Sequence, residues 1–392
     1  MFDFKSGDIV YVGNQDNIGF SLVSYARSKG IRAWLLMVKR GINRSDPDFF
    51  KEGLFSASES FIIHGKNFLP ACEYLQKCQG LHIFSTGIEV IYMLRNLSIY
   101  NNHYLIPTGS DLSSWPFVTP ANSLIKNYLK YKEIFTKKMD SLRYIYTSQL
   151  DCEYAARSLG LHSKLKHWRY PSPISYMKEQ RPRFICSDNI KTIFFMPARK
   201  NGDPRYASDK RPQLILNAIE KYAKQVSPDS LKQTLFLNLN QGNGGKISYS
   251  FVDFGRDLNQ LQQSFDLNVL NLRSLEAKEF WSLLQDPRMA VIDQFGQFHG
   301  HMGGVGRESS IFGRPVITGC LDTADYRTRK IYGNNAPILC AFTGTAIAQH
   351  MVSFANMSTH RRSELSQTIS SWACSVFNPD TAFQQILDDL YT

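Results

Sequence analysis

No apolar run in this 392-residue chain approaches the ~18 residues that a membrane-spanning helix needs. The first residues, MFDFKSGDIVYVGN, lack the charged start, apolar core and small-residue cleavage site of a secretory signal, so a cytoplasmic protein is expected. Its seven cysteines include no CxxC pair, which argues against a zinc site and against a disulfide framework and suits a reducing compartment. No internal repeat or low-complexity segment is present. Acidic residues are the scarcer charge, 34 against 45 basic, giving a net charge of +11. That excess implies an anionic partner: nucleotide, acidic glycan, nucleic acid or membrane surface. Charge alone does not choose among them. With 43% hydrophobic residues the composition is globular, and the length exceeds one ordinary core and predicts two domains.

What is present is concentrated in Met289–Cys320, MAVIDQFGQFHGHMGGVGRESSIFGRPVITGC. Met289–Ile292 is an apolar run of strand length, and Asp293-Gln294 places polar groups where that strand should end. A glycine loop follows, with Gly296, Gly300, Gly303, Gly304 and Gly306. Arg307–Phe312 then predicts a short helix, starting near Val305 and stopped at Gly313, before a second strand at Pro315–Thr318. Strand, glycine loop, helix, strand is a βαβ unit, and parallel sheets bind ligands beyond the carboxyl ends of their strands. Glycines allow close backbone approach to a phosphate, and a helix start offers N–H groups and a positive dipole end to an anion. Glu308, placed in the first turn, is a candidate acceptor for the hydroxyls of a ribose. The competing reading is a tight turn with Glu308 favouring the helix start. From the residues alone both stand.

This stretch, DQF…G…GG…RES…FGRPVI, resembles the nucleotide-sugar signature of GT-B glycosyltransferases, especially the retaining glycosyltransferase family 4 (glycosyl transferases group 1). The resemblance implies that Glu308 binds the nucleotide ribose and that Gly303, Gly304, Val305, Gly306 and Arg307 hold the donor. Many members carry a second glutamate eight residues earlier; here that position is Gly300. Asp293 and Gln294 are expected to line the cleft, an ordinary strand-end cap being the alternative for Asp293, and either His299 or His301 is placed to reach a phosphate or sugar. His299 and His301, two residues apart with no third ligand nearby, make a poor metal site, so no metal is expected.

The chain opens with a strand at Asp8–Val12, a loop from Gly13 to Gly19 and a helix through Arg27, then a strand at Ile31–Val38. This is the start of a doubly wound sheet. Gly13, Asn14 and Asn17 lie in a loop similar to the first GT-B loop, which faces the cleft between the domains; a plain strand-to-helix turn is the alternative. Further strands are expected at Ser60–His64, Gly80–Ser85 and His103–Pro107. His82 reads as a packed strand residue. Thr108–Leu112 resembles the family's strand-end segment, which implies that Asp111 binds acceptor hydroxyls or supports acid/base chemistry; an Asx-turn is the alternative. Residues 121–143 form a basic amphipathic segment, suited either to peripheral contact with an anionic membrane or to an ordinary solvated helix face.

Pro171, Pro173 and Pro182 with neighbouring basic residues mark a linker. Beyond it Lys191–Met196 is a strand entering Pro197-Ala198-Arg199-Lys200. The family carries an arginine and a lysine here that bind the donor diphosphate, which implies Arg199 and Lys210, with Arg205 or Arg211 as substitutes for the lysine; a basic, solvated loop is the alternative. A helix at Leu214–Gln225, a strand at Thr234–Leu239, and a strand at Leu267–Leu272 before a helix at Glu276–Leu284 follow. Ser274 is the expected N-cap and, by resemblance, helps hold the base. Ala336–Phe342 predicts a strand, with helices at Thr345–Ser353, Ser363–Phe377 and Asp380–Leu390.

The resemblance therefore implies an α/β GT-B fold: two Rossmann-like doubly wound domains facing a cleft, with the C-terminal helix crossing back to the N-terminal domain. The expected divisions are 1–172 for acceptor binding, a linker at 173–188, 189–376 for nucleotide-sugar binding, and a helix at 377–392. It implies a hexosyltransferase-like enzyme, retaining and metal-independent, moving sugar from a nucleotide-diphosphate sugar to a glycan or lipid-linked acceptor in cell-surface polysaccharide synthesis. The expected location is cytoplasmic, peripheral on the membrane's inner face if the basic segment binds there. No cofactor beyond the donor substrate and no nucleic acid is expected. Other readings are a nucleotide-sugar 2-epimerase of the same fold, a non-catalytic nucleotide-sugar-binding subunit suggested by Gly300, and a nucleic-acid-binding protein suggested by the pI near 9.2.

Overall fold

The computed structural model describes residues 8–13, 18–38, 60–63, 82–85, 103–106, 142–181, 186–197, 211–239, 254–272, 275, 277–295, 302–319 and 326–391. The chain divides into two compact units, Met1–Pro173 with Phe377–Thr392, and Ile174–Val376.

In the first unit the strands are β1 (Ile9–Val12), β2 (Ala33–Val38), β3 (Ser60–Ile63), β4 (His82–Ser85), β5 (His103–Ile106), β6 (Tyr144–Thr147) and β7 (Leu165–His167). Its described α-helices are α1 (Ile18–Ser28) and α2 (Leu150–Ser158), with a 3-10 turn at His162–Lys164 and the chain's last helix treated below. The second unit holds helix α3 (Ile174–Lys178), β8 (Thr192–Met196), α4 (Pro212–Gln225), α5 (Pro228–Lys232), β9 (Thr234–Leu239), α6 (Phe254–Phe265) and β10 (Asn268–Leu272). It continues with α7 (Ala277–Leu283), β11 (Met289–Ile292), α8 (Gly304–Ile311), β12 (Val316–Thr318) and α9 (Tyr326–Tyr332). Then come β13 (Leu339–Cys340), α10 (Gly344–Ala355) and α11 (Thr359–Val376). The last helix, α12 (Pro379–Tyr391), belongs to the first unit. The segment expected as a linker, 173–188, thus opens with helix α3, whose Met177 is buried.

Each sheet is parallel and wound outward in both directions from a central strand. The first runs β3-β2-β1-β4-β5-β6-β7 and the second β10-β9-β8-β11-β12-β13. The winding reverses between β1 and β4, and between β8 and β11. Ligands of such sheets sit beyond the carboxyl ends of the strands at those reversals. The sequence dictates the central strands simply: β8 (TIFFM), β9 (TLFLNL) and β11 (MAVI) are buried at every residue. Strands covered on both faces read as unbroken apolar runs rather than alternating ones. Helix α4 starts with Pro212, which suits a first turn that lacks intrahelical N–H bonds. Its buried Ile215, Leu216, Ile219, Tyr222 and Ala223 recur at helical spacing and join a core with Phe194, Phe236, Ile292, Ile347 and Met351.

Helix α12 is fixed to the first unit by polar as well as apolar contacts. The Trp168 indole donates to the Ala382 carbonyl at 2.9 Å, and Gln385 to the His167 carbonyl at 2.9 Å. Asp389 accepts from the Tyr146 hydroxyl at 2.8 Å and from the Lys166 ammonium at 2.9 Å. Burial and this carboxylate push the Tyr146 phenol well above its ordinary range. Tyr25 of α1 donates to Asp380 and packs edge-on against Phe383. Among the described residues no helix is long and apolar enough to cross a membrane.

In the second unit the lead-ins to β8 and β11 are joined through one ion pair. Asp286 accepts from Arg288 through Nε at 2.9 Å and Nη2 at 2.7 Å, while Arg288 Nη1 donates to the Ile190 carbonyl at 2.9 Å. Arg314 Nη1 donates to the backbone carbonyl of Asp286 at 2.8 Å. Burial lowers the Arg314 pKa to about 10, with Asp286 acting against that fall. Burial alone would raise the Asp286 carboxyl, but its hydrogen bonds and the Arg288 charge win and hold it below its ordinary value. Its stabilising effect is therefore complete above the unfolded-state value of about 4 and is lost as pH falls through the lower folded value. Asp286→Asn should lower stability near neutral pH by about 1–3 kcal/mol. It should also flatten the acid side of a stability-versus-pH curve measured by urea unfolding. An unchanged acid side would place that pH dependence elsewhere.

Candidate functional site

The site is assembled where β11 ends. Asp293 is 2% exposed, and its Oδ2 accepts the Gly303 N–H at 3.2 Å. Helix α8 begins at the next residue, with Gly303 as N-cap in an extended conformation and no side-chain cap. A Cβ at Gly303 would lie 2.9 Å from Asp293 Oδ2. One at Gly306 would lie 2.5 Å from Met302 Cγ and 2.8 Å from Asp293 Oδ2. These glycines are required by proximity, not by positive φ. They let the helix start close over the strand end, where first-turn N–H groups have no intrahelical acceptor. Such a helix start favours an anion.

Glu308 lies in the second turn, not in the first turn as the sequence suggested, because the helix starts at Gly304. It is 9% exposed, and its Oε2 accepts the Trp281 indole N–H at 2.9 Å. Trp281 is fully buried on α7, and the Tyr176 ring of α3 meets it edge-on at 5.5 Å. Arg307 is 2% exposed. The next two hydroxyls turn inward: Ser309 donates to the Val305 carbonyl at 2.7 Å and Ser310 to the Gly306 carbonyl at 2.9 Å. Small polar residues after the glutamate thus pack the helix against the sheet.

Met302, which leads into α8, is held from behind. The Met302 N–H donates to the Tyr332 hydroxyl of α9 at 2.7 Å, and the Trp372 indole of α11 donates to the Tyr332 carbonyl at 2.8 Å. At the exit Gly313 adopts a φ of +75°, and a side chain there would meet the Ser366 carbonyl of α11. Strand β12 ends against the same corner: Thr318 Oγ1 and the Gly319 N–H both donate to the Gln294 carbonyl at 2.8 Å.

The structure therefore brings together Asp293, Gly303, Gly304, Val305, Gly306, Arg307 and Glu308. In the first unit Gly13 ends β1 with a φ of +93° and donates to the Leu36 carbonyl at 2.7 Å. Asn14, Asn17, Asp111, Arg199, Lys210, Ser274 and His301 lie outside the described residues, as does the basic segment 121–143 up to its last two residues. Arg211, the alternative cation, directly precedes α4 with a φ of +41°. Among the described residues no group of three or more His, Cys, Asp or Glu is placed to hold a metal ion. Sequence reasoning missed Trp281, Tyr176, Met302 and Tyr332. The available signal was a tryptophan inside an apolar helix, since a buried indole N–H must find an acceptor.

Gly306→Ala should cost about 1–3 kcal/mol, because the added methyl must displace Met302 and Asp293. Urea unfolding checks this. An unchanged midpoint would mean that the close approach is not what requires glycine.

No protein-family model and no curated protein matches the chain. Solved structures do. The N-terminal domain of a Candida albicans trehalose-6-phosphate phosphatase superposes with a TM-score of 0.64 at 11% identity, over 99% of this chain and 97% of that one. An α,α-trehalose-phosphate synthase (UDP-forming) from Burkholderia vietnamiensis gives 0.62 at 11% identity, over 99% and 98%. A UDP-GlcNAc 2-epimerase from Neisseria meningitidis, bound to UDP-GlcNAc, gives 0.53 at 12% identity, over 99% and 100%. At such identities the likeness establishes architecture, and that architecture agrees with the two doubly wound parallel sheets: the chain has the GT-B fold.

Proposed function

We propose that the protein is a glycosyltransferase that takes its sugar from a nucleotide-diphosphate sugar. One observation carries this reading: a glycine-built helix start at the β8/β11 reversal, with a buried glutamate one turn further on. The helix start supplies N–H groups and a positive dipole end for a diphosphate, and Glu308 supplies an acceptor for ribose hydroxyls. In this reading Arg199 and Lys210 offset the charge that develops on the leaving diphosphate, and Ser274 and His301 complete the donor contacts. Asp111 and the loop of Gly13, Asn14 and Asn17 serve the acceptor. Catalysis then consists of positioning and electrostatic stabilisation, without a metal. The family resemblance supports retention of configuration and a glycan or lipid-linked acceptor in cell-surface polysaccharide synthesis.

A second reading has a specific support. A neighbouring structure is a UDP-GlcNAc 2-epimerase, and epimerisation needs the same donor site with no acceptor. Release of an altered free sugar or nucleotide sugar in the absence of acceptor would select it over transfer.

The test is a thermal-shift screen against UDP, GDP, ADP, CMP and their sugar conjugates, starting with UDP because two neighbours' names carry it. A ligand at about 100 times its Kd adds roughly 2.7 kcal/mol of stability, so the cognate nucleotide should raise Tm by several degrees in a dose-dependent way. Arg199→Ala should reduce both that shift and turnover. No shift with any nucleotide would overturn the reading, and wild-type kinetics in Arg199→Ala would remove the diphosphate assignment.

A further inference from the structure

We infer that Trp281 is a positioning residue for the donor nucleotide: its indole N–H orients the Glu308 carboxylate to receive the vicinal hydroxyls of a ribose, and so sets a preference for ribonucleotides over 2′-deoxyribonucleotides. The inference rests on the donor-site reading of Glu308 given above.

A glutamate side chain has three rotatable bonds, so a carboxylate that must meet two hydroxyls needs its orientation fixed beforehand. Here the fixing donor comes from another element. Trp281 stands on α7, after β10, and Glu308 stands on α8, after β11, and the bond between them is 2.9 Å. An indole N–H can only donate and a carboxylate can only accept. The tryptophan therefore satisfies one oxygen's demand without offering the ribose a competing acceptor. The indole is itself immobilised, being fully buried with the Tyr176 ring edge-on at 5.5 Å and an interplanar angle of 82°.

The chain's other described tryptophans show what purely structural indoles do. Trp168 donates to the Ala382 carbonyl and Trp372 to the Tyr332 carbonyl, both backbone groups. Trp34 donates to Asp8 beside the Arg32 guanidinium, at the opposite, amino-terminal end of its sheet. Trp281 meets a carboxylate on the helix that starts at the carboxyl end of β11, where the fold places ligands.

The experiment compares the Kd values of UDP, GDP and ADP with those of their 2′-deoxy counterparts for the wild type and for Trp281→Phe, alongside Tm. Phenylalanine keeps an aromatic ring and removes the N–H. The wild type should prefer the ribonucleotide of its cognate base. In Trp281→Phe that ribonucleotide should weaken by roughly 10- to 100-fold, the worth of a hydrogen bond to a charged group, while the deoxynucleotide changes far less, so the preference collapses. A lower Tm with the preference intact would make Trp281 structural and overturn the inference while leaving the donor site standing. A wild type that binds a nucleotide without ribose preference would overturn both the inference and the Glu308 assignment. A wild type that binds none of these nucleotides would remove the proposed function and the inference with it. If Trp281→Phe does not fold, Tyr176→Leu loosens the indole without removing its N–H. A reduced ribose preference in that variant supports the inference, and an unchanged one opposes it.

Discussion

The candidate site in the second unit depends on how near a helix start can come to the end of β11. Gly303 and Gly306 lie so close to Asp293 and Met302 that one added carbon would overlap them. Everything else at the site follows from that contact. Because the backbone comes in close, the Asp293 carboxylate can reach the Gly303 N–H. Because the first turn is fixed there, Glu308 falls one turn later, on the side where the α7 indole waits for it. A larger residue at either glycine would have to displace the Asp293 side chain, and at Gly306 Met302 as well.

The same corner is held by elements far apart in sequence. Tyr332 takes the Met302 N–H before the helix, Trp372 braces Tyr332, and Gly313 lets the chain leave against Ser366. Each is a short-range, directional contact, and together they fix the two ends of α8. Fixed helix ends would serve the proposed donor role, since donors aimed in advance need no reorganisation when charge develops.

The two units meet this demand for order differently. The second is a broad apolar core in which α4 and α10 cover buried strands, with the Asp286–Arg288 pair tying the strand lead-ins. The first relies on a helix from the far end of the chain. Helix α12 closes its core through Trp168, Tyr146 and Asp389, a set of polar groups satisfied only across more than two hundred residues of sequence. Buried polar groups left without such partners would be costly, which makes the last helix part of the first unit's fold and not an appendage.

Much of the architecture was legible in the sequence for a simple reason. Strands buried on both faces are largely apolar, so TIFFM, TLFLNL and MAVI announce themselves, and the glycines after MAVI mark the approach to α8. The motif from Met289 to Cys320 likewise located β11, α8 and β12, since strand and helix periods are local properties. The helix start was misjudged by about one residue, enough to put Glu308 in the wrong turn, because an N-cap glycine without a side-chain bond leaves little local signature. Local rules cannot say which helix lies across from which. That Trp281 meets Glu308, that Tyr332 holds Met302, and that Asp389 meets Tyr146 were decided by the order in which two sheets wind. The sequence by itself determined the elements, through hydrophobic period and backbone freedom. Only the tertiary structure decided which polar groups are paired, because a buried donor takes whatever acceptor the packing brings within 3 Å.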